Sequence, residues 1–145
     1  GGVFVSSDDQ TFRADAYDMT GTDPNFIASG KDITFVNGGA GNIVLSDTAN
    51  LTIDTGSGAI GNVSISDTIT NVTGSGDDAT DVTIIAGSGT VGIAEISGDI
   101  NDVAITTTGA ITLSGDITTA QDTNDTSAGN TVHGDVTITG PVVLS

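Results

Sequence analysis

The sequence predicts an all-β chain wound as a right-handed parallel β-helix, with about 20 residues per coil and three sides. Three observations carry this expectation. A short phrase returns along the chain, as Ile43-Val44-Leu45, Val63-Ser64-Ile65, Val82-Thr83-Ile84, Val103-Ala104-Ile105 and Val136-Thr137-Ile138. Its start positions step by 20, 19, 21 and 33 residues, and removing the polar segment 121–134 returns the last step to about 20. The first and third places are always Val, Ile or Leu, whereas the middle place is mostly Ser, Thr or Ala, which is the alternation of a strand with one buried face.

From the N-terminus, residues 1–35 hold every aromatic residue (Phe4, Phe12, Tyr17, Phe26, Phe35) and both basic ones (Arg13, Lys31). An open solenoid end exposes strand edges and an apolar column, so this segment is expected to be a cap or docking segment with an entry coil. Its alternative is a contact surface for sugar or protein, with Val3-Phe4-Val5 able to lie along another subunit as an added strand. Asp23-Pro24 marks a turn, after which Phe26/Ile27 and Ile33/Phe35 begin the coil.

Residues 36–145 are expected to form the solenoid proper. A second apolar pair follows each phrase: Leu51/Ile53, Ile69/Val72, Val91/Ile93, Ile111/Leu113 and Val142/Leu144. Ile60, Ile100 and Ile117 suggest a third side. Glycine with Ser, Asn or Asp fills the intervals, supplying corners, and no 3.6-residue stripe survives them to make a helix. Residues 121–134, which contain the lone histidine His133, are expected to leave the coil as a loop. Ending inside an apolar alternation, the chain is expected to be a processed product or a window of something longer.

Composition narrows function. With 19 acidic and two basic residues, the net charge of −17 disfavours nucleic acid and anionic membranes as partners. The absence of cysteine removes disulfides and thiolate metal sites and suits an extracellular protein. No apolar run approaches the ~18 residues of a membrane span.

One residue before each phrase stand Asn42, Asn62, Asp81, Asp102 and Asp135, which a strict coil would stack in one column. Carboxylates ~4.8 Å apart repel by about 0.9 kcal/mol in a water-like dielectric. Either they cap turns in salt-screened solvent, or Asp77, Asp78, Asp81, Asp102 and Asp135 take Ca²⁺, which wants several oxygen ligands. The Gly-Gly-x-Gly-x-Asp calcium repeat is not present: Gly38-Gly39-Ala40-Gly41-Asn42 begins it, but Ile43 stands in the Asp place. The repeats hold no basic residue to polarise an acidic polysaccharide and no aromatic platform beyond Phe35, so the expectation is a protein that is not an enzyme. A threonine-array ice binder, suggested by Thr106-Thr107-Thr108 and Thr118-Thr119, would need more regular outward rows.

Three stretches are similar in wording to the repeats of filamentous-haemagglutinin-like bacterial surface proteins: Leu51-Thr-Ile-Asp-Thr-Gly-Ser-Gly58, Gly109-Ala-Ile-Thr-Leu-Ser-Gly-Asp-Ile-Thr-Thr-Ala120 and Gly134-Asp-Val-Thr-Ile-Thr-Gly-Pro-Val-Val-Leu144. The likeness covers about residues 33–145. It implies a secreted, cell-surface or fibrous adhesin with a parallel β-helical shaft, and brings no catalytic residues with it. The expected role is an extracellular structural or adhesive segment that continues or assembles end to end and meets host or surface glycans. The rival is a carbohydrate-active or carbohydrate-binding β-helix protein.

Overall fold

The computed structural model describes residues 2–19, 23–39, 41–46, 49–71, 80–98, 100–119 and 134–145. Its first strands are β1 (Val3–Val5), β2 (Gln10–Ala14) and β3 (Tyr17–Met19), followed by β4 (Asn25–Ile27), β5 (Ile33–Asn37) and β6 (Ile43–Leu45). Next come β7 (Leu51–Asp54), β8 (Val63–Asn71), β9 (Val82–Ile85) and β10 (Val91–Ile96). The last are β11 (Val103–Thr106), β12 (Ile111–Leu113), β13 (Val136–Thr139) and β14 (Val142–Leu144). The described residues contain no helix.

Every strand pairing is parallel, and sequence neighbours lie in different rows, so each strand must be reached by a crossover, as in a parallel β-helix. One sheet runs β1-β4-β7-β9-β11-β13 and the other β2-β5-β8-β10-β12-β14. The nine-residue β8 pairs with β5 through its first half and with β6 through its second, which joins β3 and β6 to the second sheet as a further row.

Register turns the alternation into apolar columns. Phe4, Phe26, Ile53, Ile84, Ile105 and Ile138 stack in the first sheet. Phe12, Phe35, Ile65, Ile93, Leu113 and Leu144 stack in the second. The third row stacks Tyr17, Ile43, Ile69, Ile96 and Ile117. Their middle members are buried, and each such Ile or Phe contributes about 1.5–3 kcal/mol of burial. Residues 2–37 therefore enter the same columns as the rest. Their rings interlock there: Phe4 stacks on Phe26 at 4.9 Å and 6°, and Phe12 on Phe35 at 5.0 Å and 18°.

The recurring phrase does not mark one coil. Val82, Val103 and Val136 are paired neighbours in the first sheet, as are Ile84, Ile105 and Ile138. Val63 and Ile65 instead pair with Ile33 and Phe35 in the second sheet, and Ile43 and Leu45 lie in the third row. Nor is the step constant: the stacked positions Asp23, Asn50, Asp81, Asp102 and Asp135 lie 27, 31, 21 and 33 residues apart. The reason is that apolar-polar-apolar is what any half-buried strand demands, so the phrase identifies a strand without identifying its face. Corners set the face, and they differ in length. The interval from Phe35 to Ile43 divides two strands, β5 and β6, where the matching interval from Ile65 to Ile69 stays within β8. The proposed third-side residues divide: Ile100 is buried and Ile117 pairs with Ile96, but Ile60 is 76% exposed. Val72 and residues 121–133 of the expected loop, His133 included, lie outside the described residues. The described chain resumes at Gly134, whose carbonyl accepts from Thr119 Oγ1 at 2.9 Å.

Candidate functional site

The polar residues that the fold brings together form two ladders along its corners. In the first, Asp23 Oδ1 accepts the Asn50 amide N–H at 2.9 Å, Asn50 Oδ1 accepts that of Asp81 at 2.9 Å, Asp81 Oδ1 that of Asp102 at 3.2 Å, and Asp102 Oδ1 that of Asp135 at 2.7 Å. Asn101 Nδ2 adds a second donor to Asp81 Oδ1 at 3.0 Å. In the second ladder Asp9 Oδ1 accepts from Asp32 N, Asp32 Oδ1 from Asn62 N and Asn62 Oδ1 from Thr90 N, at 3.0, 2.8 and 2.8 Å. Each residue stands just before a strand, where the chain has turned and its amide needs an acceptor. A short carboxylate or amide one coil away supplies it.

Of the expected column, Asp81, Asp102 and Asp135 do stack, but Asn62 belongs to the second ladder. Asn42 joins neither: its backbone carbonyl accepts from Tyr17 N at 3.0 Å. The repeated phrase does not single out Asp9, Asp32, Asn50 or Thr90, and Asp23 reads only as a turn residue beside Pro24. Asp32 and Asn50 carried the available signal, since each directly precedes an inward apolar residue, Ile33 or Leu51.

Ladder geometry answers how acids can be stacked. Each shared oxygen points at a partial positive charge on the neighbouring coil, which offsets carboxylate repulsion. Asp77 and Asp78 lie outside the described residues, and among those described no group of three or more His, Cys, Asp or Glu is placed to hold a metal ion. We expect Asp81→Ala to cost about 1 kcal/mol, because it strands the Asp102 amide and the Asn101 side chain. Asp81→Asn keeps the acceptor, removes a charge, and should melt at or slightly above the parent. Melting in millimolar Ca²⁺ and in chelator at matched ionic strength should give equal midpoints if hydrogen bonding is the whole role. A higher midpoint in Ca²⁺ that Asp81→Asn abolishes would assign the remaining oxygens to the ion.

Two other features stand apart. Asp67 is only 3% exposed, facing inward on β8 between Ile65 and Ile69; its Oδ1 has no hydrogen-bond partner, and burial pushes its carboxyl pKa up. At the first coil, Phe4, Val5, Ser6, Gln10, Thr11 and Phe12 line an open cleft of about 260 Å³. Gln10 Nε2 donates to the Ile27 carbonyl at 2.9 Å, while its buried Oε1 has no partner.

Comparison with protein-family models, with curated proteins and with solved structures finds no match to this chain.

Proposed function

We propose that this chain is a segment of an extracellular structural or adhesive protein of a bacterial surface or fibre. In this reading it is a right-handed, three-sided, acidic β-solenoid rod that continues end to end, into more of the same polypeptide or into another copy. The observation that carries the reading is where the polar residues go: the stacked acids and amides bond one coil to the next, so the side chains most able to do chemistry hold the shaft together. The terminal coils support continuation. Val3, Phe4 and Val5 are 65%, 47% and 71% exposed at one end, as are Val142 and Leu144 at 46% and 79% at the other. Both ends present strands of the same two sheets with the same polarity, so a copy stacked head to tail would prolong the columns of those two sheets.

Sedimentation and light scattering over a concentration series test the non-covalent form. Mass should rise with concentration, more steeply in salt because the −17 charge is screened, and Leu144→Asp should suppress the rise. A strictly monomeric chain at high concentration in salt would overturn self-association. A second reading, carbohydrate binding, is favoured by the first-coil cleft, where the half-exposed Phe4 ring lies beside the unpartnered Gln10 carbonyl. Binding of host or surface glycans that Phe4→Ala abolishes would establish it.

A further inference from the structure

The chain contains a single Asn-Gly dipeptide, Asn37-Gly38, at the end of β5. Packing explains the glycine. A side-chain carbon at position 38 would lie 2.7 Å from Asp15 Oδ1 and 3.3 Å from the Ala14 carbonyl oxygen, so a larger residue would displace the Asp15 carboxylate and press on the first coil. That same lack of a side chain leaves the Gly38 nitrogen sterically open towards the Asn37 side-chain amide. Four hydrogen bonds hold this corner. Gly38 N donates to the Ala14 carbonyl at 2.8 Å, Asn37 N to Ser66 Oγ at 2.9 Å, Gly39 N to Asn37 Oδ1 at 2.5 Å, and Ser66 Oγ to the Phe35 carbonyl at 3.1 Å.

We propose that Asn37-Gly38 is a spontaneous deamidation site that the first coil keeps silent and that becomes reactive when that coil detaches. In the reaction Gly38 N gives up its proton to solvent and attacks Asn37 Cγ. A nitrogen–carbon bond closes a five-membered imide, the Cγ–Nδ2 bond breaks, and ammonia leaves. Water then opens the imide at one carbonyl or the other, leaving aspartate or isoaspartate. In the folded corner the Gly38 proton is held by the Ala14 carbonyl, and the Asn37 side-chain oxygen is fixed by Gly39. Both reacting groups are thus engaged by partners that detachment of the first coil or rearrangement of the turn must remove. The product resists reversal: a carboxylate replaces the amide one residue from Gly38, which packs against Asp15, and isoaspartate lengthens the main chain where Asn37 meets Ser66. Detachment becomes permanent once the reaction has followed it.

Tyr17 gives control over the gate. Its hydroxyl bonds the carbonyls of Phe12 and Val36 at 2.7 and 2.9 Å and accepts from Ala14 N at 3.1 Å, pinning the residues that border the site. The test is peptide mapping by mass spectrometry of the 145-residue chain held at mildly alkaline pH, native and in urea, beside Tyr17→Phe under native conditions. Deamidation at Asn37 should be at least about tenfold slower in the native chain than in urea, since reaction passes through a local opening. Tyr17→Phe should raise the native rate, and the rate should follow hydrogen exchange of the Gly38 amide. Equal native and unfolded rates would overturn the lock. In urea, an Asn37 no faster than Asn50 or Asn62 would overturn the site. If Tyr17→Phe does not stay folded, the wild-type comparison decides alone: deamidation that fails to follow exchange at Gly38 as solution conditions change overturns the gate.

Discussion

Gly89→Ala should cost this protein on the order of 3–4 kcal/mol, a loss of about 10 °C in melting temperature for a chain of this size. A methyl group at Gly89 would lie 2.0 Å from the Gly61 carbonyl oxygen. The same contact recurs along one corner, with Gly61 against the Lys31 carbonyl at 2.2 Å and Gly109 against that of Gly89 at 2.3 Å. None of these three glycines has a positive φ, so the requirement is proximity of backbones and not a special conformation. Buried threonines clasp the corner from inside. Thr55 Oγ1 donates to the Gly61 carbonyl at 2.8 Å, and Thr107 Oγ1 to that of Gly89 at 2.5 Å while accepting Gly109 N at 2.9 Å. Relieving the methyl clash means parting the coils, which opens the clasp and unseats the adjoining apolar columns together. Gly92→Ala is the control. Gly92 sits outward in β10 with nothing within 4 Å of an added carbon, so the substitution should be neutral or stabilise by roughly 0.5–1 kcal/mol. Thermal melts of the two variants decide it, and indistinguishable midpoints would mean that the corner is not closely packed.

How much of this was legible in the sequence depends on which force set the feature. Pleat alternation writes itself into every strand, so Val82, Val103 and Val136 announced both the strands and their pairing. It writes the same thing on every face, so Val63 looked identical to Val82 although the two lie in different sheets. The glycines at 61, 89 and 109 read as turn residues because composition reports that a side chain is absent, not what occupies its place. The ladders were half visible: an Asx before an apolar pair was the right local rule, and the assumption of a constant step mispaired it, assigning Asn62 to the wrong column. Asp67 was legible only as a conflict: the alternation of Val63, Ile65 and Ile69 puts position 67 inward, an acid there reads as a corner, and the unbroken β8 shows that alternation prevails.

That inward acid gives the other large effect: Asp67→Asn should stabilise the protein at neutral pH by about 1–3 kcal/mol, because the isosteric amide carries no charge to desolvate. The carboxyl lies between Ile65 and Ile69 with Oδ1 unpartnered, and β10 passes it at a register shift between Ile93 and Glu95. Glu95 does not relieve it. That residue's Oε2 accepts from Thr68 Oγ1 at 3.3 Å, and Thr68 alternates to the opposite face of β8 from Asp67. Desolvation by burial raises the folded-state pKa above 3.8, so as pH rises the unfolded chain loses this proton first. Stability contributed by the neutral acid is therefore complete below the unfolded value, declines as pH climbs from there through the raised folded value, and stays lost above it. The variant has no such proton. Its advantage should be greatest at neutral pH and should shrink towards zero as the wild-type carboxyl protonates. Relief of the general −17 repulsion on acidification acts on both chains and largely cancels in the difference. Paired melts from pH 3 to pH 7 measure it, with the exposed Asp116→Asn as a charge-matched control. An Asp67→Asn chain that is less stable than wild type at neutral pH, or an advantage that does not change with pH, would show that the buried carboxylate is satisfied by a partner and is no liability to the fold.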